Sequence, residues 1–385
     1  MGALMARTGS KADALAIPLN AHLDLTWRCN AGCGHCYLDH GVGGDMTTAE
    51  IRDMLGQLAA AGTLFLTISG GEIMLRKDIF EIVACARSLM FDVRLKTNGI
   101  LIGEAEAERF AALGVREVDI SIYSGQPEVH DGVTRVPGSL ERSLDALRRL
   151  KRHGVRAEMR GVIMRGREND YHGVQALAAE LGIRARFDAT ITPRMDGGLE
   201  PVASFQVSHE TLKGVFRDPA LVADVGEFCA PPAAPDDDAL NGYPCSAGHS
   251  GCYISPQGDV TPCVQFPLVC GNLRRNSFAE IWRNSSEFAR VREIRNRDVA
   301  VCSSCSNFSS CTRCPGLACQ EGDMAGPSSL DCEKAYARTG VPPPLAATTS
   351  GHAALRRQAS RGSWLVPLAP QPPPQVEPYR DAAAD

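Results

Sequence analysis

Between residues 20 and 190 the chain alternates between two hydrophobic rhythms. Short runs rich in aliphatic and β-branched residues, at 23–27, 64–68, 93–97, 118–122, 157–163 and 183–187, predict six strands. Between several of them apolar residues recur every three or four positions, the spacing of one helix face. Ile51, Leu55 and Leu58 share such a face, which Thr47-Thr48-Ala49-Glu50 opens as a capping box and Gly62 closes. A second helix begins near Asp78 with Glu81 three residues on, and a third carries Leu140, Leu144 and Leu147 on one stripe. Strand–helix alternation repeated six times predicts an α/β fold of βαβ units around a parallel sheet, open or closed into a barrel.

After about residue 190 the rhythm stops. Asp196-Gly197-Gly198 and the run Pro231-Pro232-Ala233-Ala234-Pro235-Asp236-Asp237-Asp238 read as a linker region. Residues 241–335 hold ten of the 15 cysteines and little periodicity, so metal rather than apolar burial is expected to organise them. Beyond residue 340 the chain is rich in Pro, Ala, Ser and Arg, the composition of a disordered tail. The predicted division is an extension at 1–19, a core at 20–225, a linker at 226–240, a cysteine-rich domain at 241–335 and a tail at 336–385.

Composition narrows the function. A net charge of −5 over 385 residues gives no footprint for bulk nucleic-acid binding. No apolar run approaches the roughly 18 residues of a membrane span. The first residues lack the continuous apolar stretch of a secretory signal, so a soluble, cytoplasmic protein is expected. In a reducing compartment, tightly grouped cysteines point to metal or catalysis rather than disulfides.

The first group, Cys29-Asn30-Ala31-Gly32-Cys33-Gly34-His35-Cys36, follows the first predicted strand directly. That places three thiolates at a strand's C-terminal end, where parallel barrels build their active sites. Soft thiolates select zinc or iron–sulfur. Zinc would need a fourth ligand, which His35 or His40 could supply, whereas a cubane on three cysteines keeps one iron open for chemistry. Ser69-Gly70-Gly71-Glu72 follows the second strand and Thr97-Asn98-Gly99 the third, on the same end of the sheet. Either could be a plain turn; together with the cysteines they form three loop signatures on consecutive strand ends.

The second group runs Cys245-x6-Cys252, then Gly258-x4-Cys263, then Cys302-x2-Cys305-x5-Cys311-x2-Cys314, Cys319 and Cys332. Such spacing suits four-ligand metal sites, zinc or iron–sulfur. Cys85, Cys229 and Cys270 have no motif neighbours and read as structural.

These residues resemble the radical S-adenosylmethionine superfamily, whose hallmark C-x3-C-x-(aromatic)-C is matched by Cys29, Cys33, His35 and Cys36, with Tyr37 following. The resemblance implies a partial (β/α)6 TIM-like barrel. It also implies a [4Fe–4S] cluster on those cysteines whose open iron is chelated by S-adenosylmethionine. Gly70, Gly71 and Glu72 would meet the methionine amino group, although the proline usual after the glutamate is Ile73 here. Asn98, Ser121 and Arg135 would bind ribose or carboxylate, with His35 and Tyr37 beside the nucleoside. Ser121 reads equally as a plain strand residue, and His130-Asp131 as either site lining or a loop cap.

The second array resembles the SPASM domain, C-x(9–15)-G-x4-C followed by C-x2-C-x5-C-x3-C and a final cysteine. By that resemblance one auxiliary [4Fe–4S] cluster uses Cys245, Cys252, Cys263 and Cys314, and another Cys302, Cys305, Cys311 and Cys332. The gap before Cys314 is one residue short, which leaves Cys319 as its alternative. The combination is similar to peptide maturases of the pyrroloquinoline quinone, mycofactocin and anaerobic sulfatase maturase types. It implies hydrogen abstraction from a ribosomally made precursor peptide, a reductant such as flavodoxin or ferredoxin, and a separate leader-binding protein, because the stretch before the first strand is short. The competing readings are radical chemistry on a small molecule such as a tetrapyrrole carboxylate, and a zinc-organised scaffold without catalysis.

Overall fold

The computed structural model describes residues 9, 11–222, 232–299 and 301–344. The six expected strands form, as β1 (Asn20–Asp24), β2 (Phe65–Ser69), β3 (Asp92–Thr97), β4 (Glu117–Ser121), β5 (Ala157–Val162) and β6 (Arg184–Asp188). Between them lie α1 (Thr48–Ala60), α2 (Ile79–Ser88), α3 (Glu104–Ala112), α4 (Pro127–Thr134), α5 (Ser139–Arg152) and α6 (Tyr171–Leu181). The Thr47–Glu50 capping box forms as expected, and Gly62 leaves the helix at φ +96°. The first strand begins three residues earlier than its apolar run suggested, because Asn20 and Ala21 already pair with Phe65 and Leu66.

All six strands are parallel and adjacent in chain order, and the sheet does not close. Register decides its two faces. Leu23, Ile68, Leu95, Val118 and Ala157 stand in one row, buried under the helices. The neighbouring positions point the other way and carry charge, paired as Arg94–Glu117 at 2.6 Å, Arg160–Asp119 at 3.1 Å and Arg186–Glu158 at 3.2 Å. The inner face of this open barrel is therefore polar.

The cysteine-rich region contributes more regular structure than its sequence rhythm suggested. β7 (Gly251–Ile254) pairs parallel to β1, then β8 (Asp259–Thr261) and β9 (Gly271–Asn272) follow antiparallel, extending one sheet to nine strands. These strands are two to four residues long, too short to display an alternation. At the far side, the helix Ser329–Thr339 packs against His209–Val215, burying Ala337 with Leu212 and Val215. The C-terminal region thus reaches both sides of the open barrel. The expected boundary at 335/336 falls inside that helix. Most of the expected tail, residues 345–385, lies outside the described residues, as do Cys229 and much of the expected linker. Among the described residues no helix is long and apolar enough to cross a membrane.

Candidate functional site

Parallel pairing brings the C-terminal ends of β1 to β4 to one rim, and the loop signatures meet there. The Gly-Gly pair after β2 packs directly under the cysteine loop: Gly71 N–H donates to Thr26 O at 2.8 Å and Glu72 N–H to Arg28 O at 2.9 Å. A Cβ on Gly70 would stand 2.2 Å from Thr26 O, and one on Gly71 2.3 Å from Arg28 O. Gly70 also has φ +137°. No side chain fits either position.

Glu72 is fully buried and ties the rim together. Its carboxylate accepts from Thr97 Oγ1 at 2.7 Å, Asn98 N at 2.8 Å and Met74 N at 2.9 Å. Burial raises its pKa despite those three donors. Asn98 in turn donates through Nδ2 to Asn30 Oδ1 at 2.7 Å, with the same nitrogen 4.0 Å from Cys29 Sγ. Arg135, in a left-handed turn at φ +60°, lies over the loop, its Cδ 3.4 Å from where a Gly32 Cβ would be. Gly32 N–H donates to Thr134 O at 2.8 Å, which fixes that approach.

The three thiols interact electrostatically. Burial first, then the charges of Glu72 and the sister thiols, push Cys29 to about 12; burial and Cys36 push Cys33 to about 12. Burial thus favours the protonated thiols of Cys29 and Cys33, so binding a metal as thiolates expels their protons. Among the described residues, the one group of three or more His, Cys, Asp or Glu whose ligand atoms all lie within 4.8 Å is Glu117, Asp119 and Glu158, which arginines already pair. Zinc with Zn–S near 2.3 Å would draw thiolate sulfurs to about 4 Å of each other. The wider cysteine arrangement fits a multi-iron cluster better than one ion.

His35 stands edge-on to Tyr123, ring centres 4.8 Å apart, and burial lowers its pKa to about 4, so it is neutral. Tyr123, which the sequence reading left out of the site, has its phenol 4.0 Å from Cys33 Sγ and bonded to Ser121. His130 accepts the Tyr123 N–H at 3.2 Å and stacks on its ring. Asp131 caps α5 through Gly138, Ser139 and Leu140. The two residues therefore divide the expected alternatives: His130 backs the site and Asp131 caps the loop. A tyrosine two residues past a polar strand end was the available signal. Tyr37 is buried between Cys36, Asp24 and Cys263, and those charges, after burial, hold its phenol neutral. His40 bonds Cys36, which raises its pKa.

The cysteines of the C-terminal region fall into two sets. Cys302, Cys305, Cys311 and Cys332 line one small cavity, with Arg313 beside them. That guanidinium is itself depressed by burial and offsets thiolate charge at Cys311, Cys302 and Cys305. Cys245, Cys263 and Cys314 are electrostatic neighbours of one another. Cys314 is anchored by Asp331 Oδ2, which accepts its N–H at 2.7 Å. Cys319 has Arg290 and Asp323 as its charged neighbours, with no cysteine among them. Cys252 does not join the set expected for it. It lies in β7 in the apolar core beside Cys270, because its strand position faces the helices. Cys85 packs at the edge of the same core, as expected.

The Radical SAM superfamily profile matches residues 24–175, and that of SPASM, an iron–sulfur cluster-binding domain, matches residues 245–315. A PqqA peptide cyclase of Xanthomonas campestris pv. campestris is 32% identical over 341 residues, covering 84% of this chain and 89% of that protein. An AdoMet-dependent heme synthase of Oleidesulfovibrio alaskensis is 27% identical over 317 residues, 76% of this chain and 81% of its own. Among solved structures, Streptococcus suis SuiB bound to precursor peptide SuiA superposes with TM-score 0.66 at 17% identity, covering 84% of this chain and 79% of that one. The anSMEcpe structure with bound AdoMet and the Cp18Cys peptide gives 0.60 at 16% identity, covering 88% and 99%.

Proposed function

The chain belongs to the radical SAM superfamily and carries an iron–sulfur SPASM domain, and from that premise we propose that it modifies a ribosomally made precursor peptide. One observation carries the reading: the peptide cyclase likeness runs through both domains at 32% identity. The two superposed structures that hold peptides support it through the fold.

We assign the first cluster to Cys29, Cys33 and Cys36, with S-adenosylmethionine held by the rim of Gly70, Gly71, Glu72, Asn98, Ser121 and Arg135. When bound, cluster and nucleoside supply the difficult chemistry, reductive cleavage of the sulfonium to a 5′-deoxyadenosyl radical that takes hydrogen from substrate. The chain's residues do the rest. The glycine pair lets backbone approach the ligand, buried Glu72 holds Asn98 in place, and Arg135 offers a cation over the loop. Neutral His35 and Tyr123 supply an apolar aromatic wall that keeps water from a radical. The SPASM cysteines are assigned to two auxiliary clusters, one in the four-thiol cavity and one on Cys245, Cys263 and Cys314. An external one-electron donor of the flavodoxin or ferredoxin kind completes the cycle.

The test is anaerobic reconstitution with iron and sulfide, then incubation with S-adenosylmethionine, a reductant and a short peptide encoded beside the gene. A changed peptide mass with 5′-deoxyadenosine formed in proportion is expected. Turnover of a tetrapyrrole carboxylate instead, the reading favoured by the heme synthase likeness, would overturn the peptide assignment.

A further inference from the structure

The sheet ends at β6. That strand has β5 on one side and, among the described residues, no strand on the other. Ile163 N–H donates to Asp188 O at 2.8 Å, so Asp188 turns its backbone groups toward β5. Backbone direction alternates along a strand. Arg184 and Arg186 therefore bond the same neighbour, while Ala185 and Phe187 turn their N–H and C=O to the open edge. All five residues of β6 keep solvent exposure, whereas each of β1 to β5 buries three or more. A bare strand edge of this kind pairs readily with an extended chain.

The side chains beside the edge set which chain fits. On the inner face three buried carboxylates, Glu117, Asp119 and Glu158, are shared among six cations, so positive charge is in surplus there. Arg184 and Arg186 both reach Glu158, Arg186 at 3.2 Å, yet keep 55% and 50% of their side chains exposed. They lean into the barrel rather than out over the edge, where a charge that merely repels other strands would stand. Asp188, at the strand end, is occupied by the Thr190 N–H at 2.8 Å. On the other face Ala185 and Phe187 pack toward the helices, Phe187 edge-on to Tyr171 with ring centres 5.7 Å apart. The segment after β6 leads to the first cysteine loop, because Met195 N–H donates to Tyr37 O at 2.9 Å.

We propose that the precursor peptide docks along the free edge of β6 as an added strand, with Asp or Glu at alternate positions facing Arg184 and Arg186 and apolar residues between them. Backbone pairing to Ala185 and Phe187 supplies register, and arginine–carboxylate pairs supply selectivity. A peptide laid this way brings the residue beyond its acidic stretch to the rim that holds the first cysteine loop. The inference rests on the peptide reading above and deepens it by naming the sequence class and its docking edge.

The experiment uses the full chain, reconstituted anaerobically. The probe is a fluorescent peptide of alternating Glu and Val, compared with its Lys–Val counterpart and with a Glu–Val copy N-methylated throughout. Anisotropy at low salt should show Glu–Val binding at least about tenfold more tightly than either control. Arg186→Glu should weaken it by about the same factor and Arg186→Lys by less. Ala185→Pro, which removes an outward N–H and leaves the β5 ladder intact, should weaken it too. Hydrogen exchange at Ala185 and Phe187 should slow when Glu–Val binds. No binding by fully loaded wild type, equal binding of Lys–Val, or unchanged binding in Arg186→Glu would overturn the proposal. Binding insensitive to N-methylation would overturn the added strand, even where Ala185→Pro fails to fold. Binding is read without turnover, so the two readings fail separately. A chain that modifies its peptide at unchanged KM in Arg186→Glu refutes the docking edge alone, and one that turns over only a tetrapyrrole carboxylate refutes the peptide reading and the inference with it.

Discussion

Gly71 leaves no room for a methyl group: its hypothetical Cβ lies 2.3 Å from Arg28 O and 2.6 Å from Trp27 O, both backbone atoms of the cysteine loop. Gly71→Ala must therefore move that loop rather than a flexible side chain. A displacement of about 1 Å can cost roughly 100-fold in rate, so 5′-deoxyadenosine formation should fall by about that factor while the auxiliary iron stays in place. Chromatography of the nucleoside and an iron count check both halves. Residues like this one were legible because their chemistry is local: three cysteines, two glycines and an Asn-Gly within a few positions of strand ends. Tyr123 and Cys252 were not. Tyr123 acquires its meaning from contacts with Cys33 and His130, and Cys252 from the direction its strand faces. Spacing alone reads neither.

Among the elements, α5 shows how a cap supports the site. Burial pushes the Asp131 carboxyl up, but hydrogen bonds from Leu140 N–H, Ser139 Oγ–H and Gly138 N–H outweigh it and hold it below the usual range. A carboxyl whose folded pKa is depressed stabilises fully above its unfolded value, near 3.9, and loses that contribution as pH falls through the folded value. Asp131→Asn should therefore cost about 1 kcal/mol near neutral pH, with the gap to wild type closing below about pH 4. Thermal unfolding across that range measures it. The apolar stripe of α5 was visible in sequence because fourteen residues span several turns. β7 to β9 were invisible because two to four residues, framed by Gly, Pro and Cys, carry no period.

On the scale of the molecule, an open parallel sheet with a polar inner face receives the cysteine-rich region on both sides, through β7 beside β1 and through the helix Ser329–Thr339 against His209–Val215. Six-fold strand–helix alternation announced the sheet; nothing in it announced which edge would be extended, since that pairing joins residues more than 200 positions apart. The four-thiol cavity lies away from the sheet's rim, among 3-10 turns and that last helix. Cys305→Ala should accordingly remove iron from this cavity while the first cluster's resonance spectrum survives; simultaneous loss of every cluster would show that the two regions cannot load independently. The most direct test of the whole account is electron paramagnetic resonance of the reduced, anaerobically loaded chain before and after S-adenosylmethionine, in wild type and Cys36→Ala. A shifted spectrum and 5′-deoxyadenosine are expected in the wild type, with neither in the variant. An unchanged wild-type spectrum, or nucleoside cleavage that persists without Cys36, would contradict it.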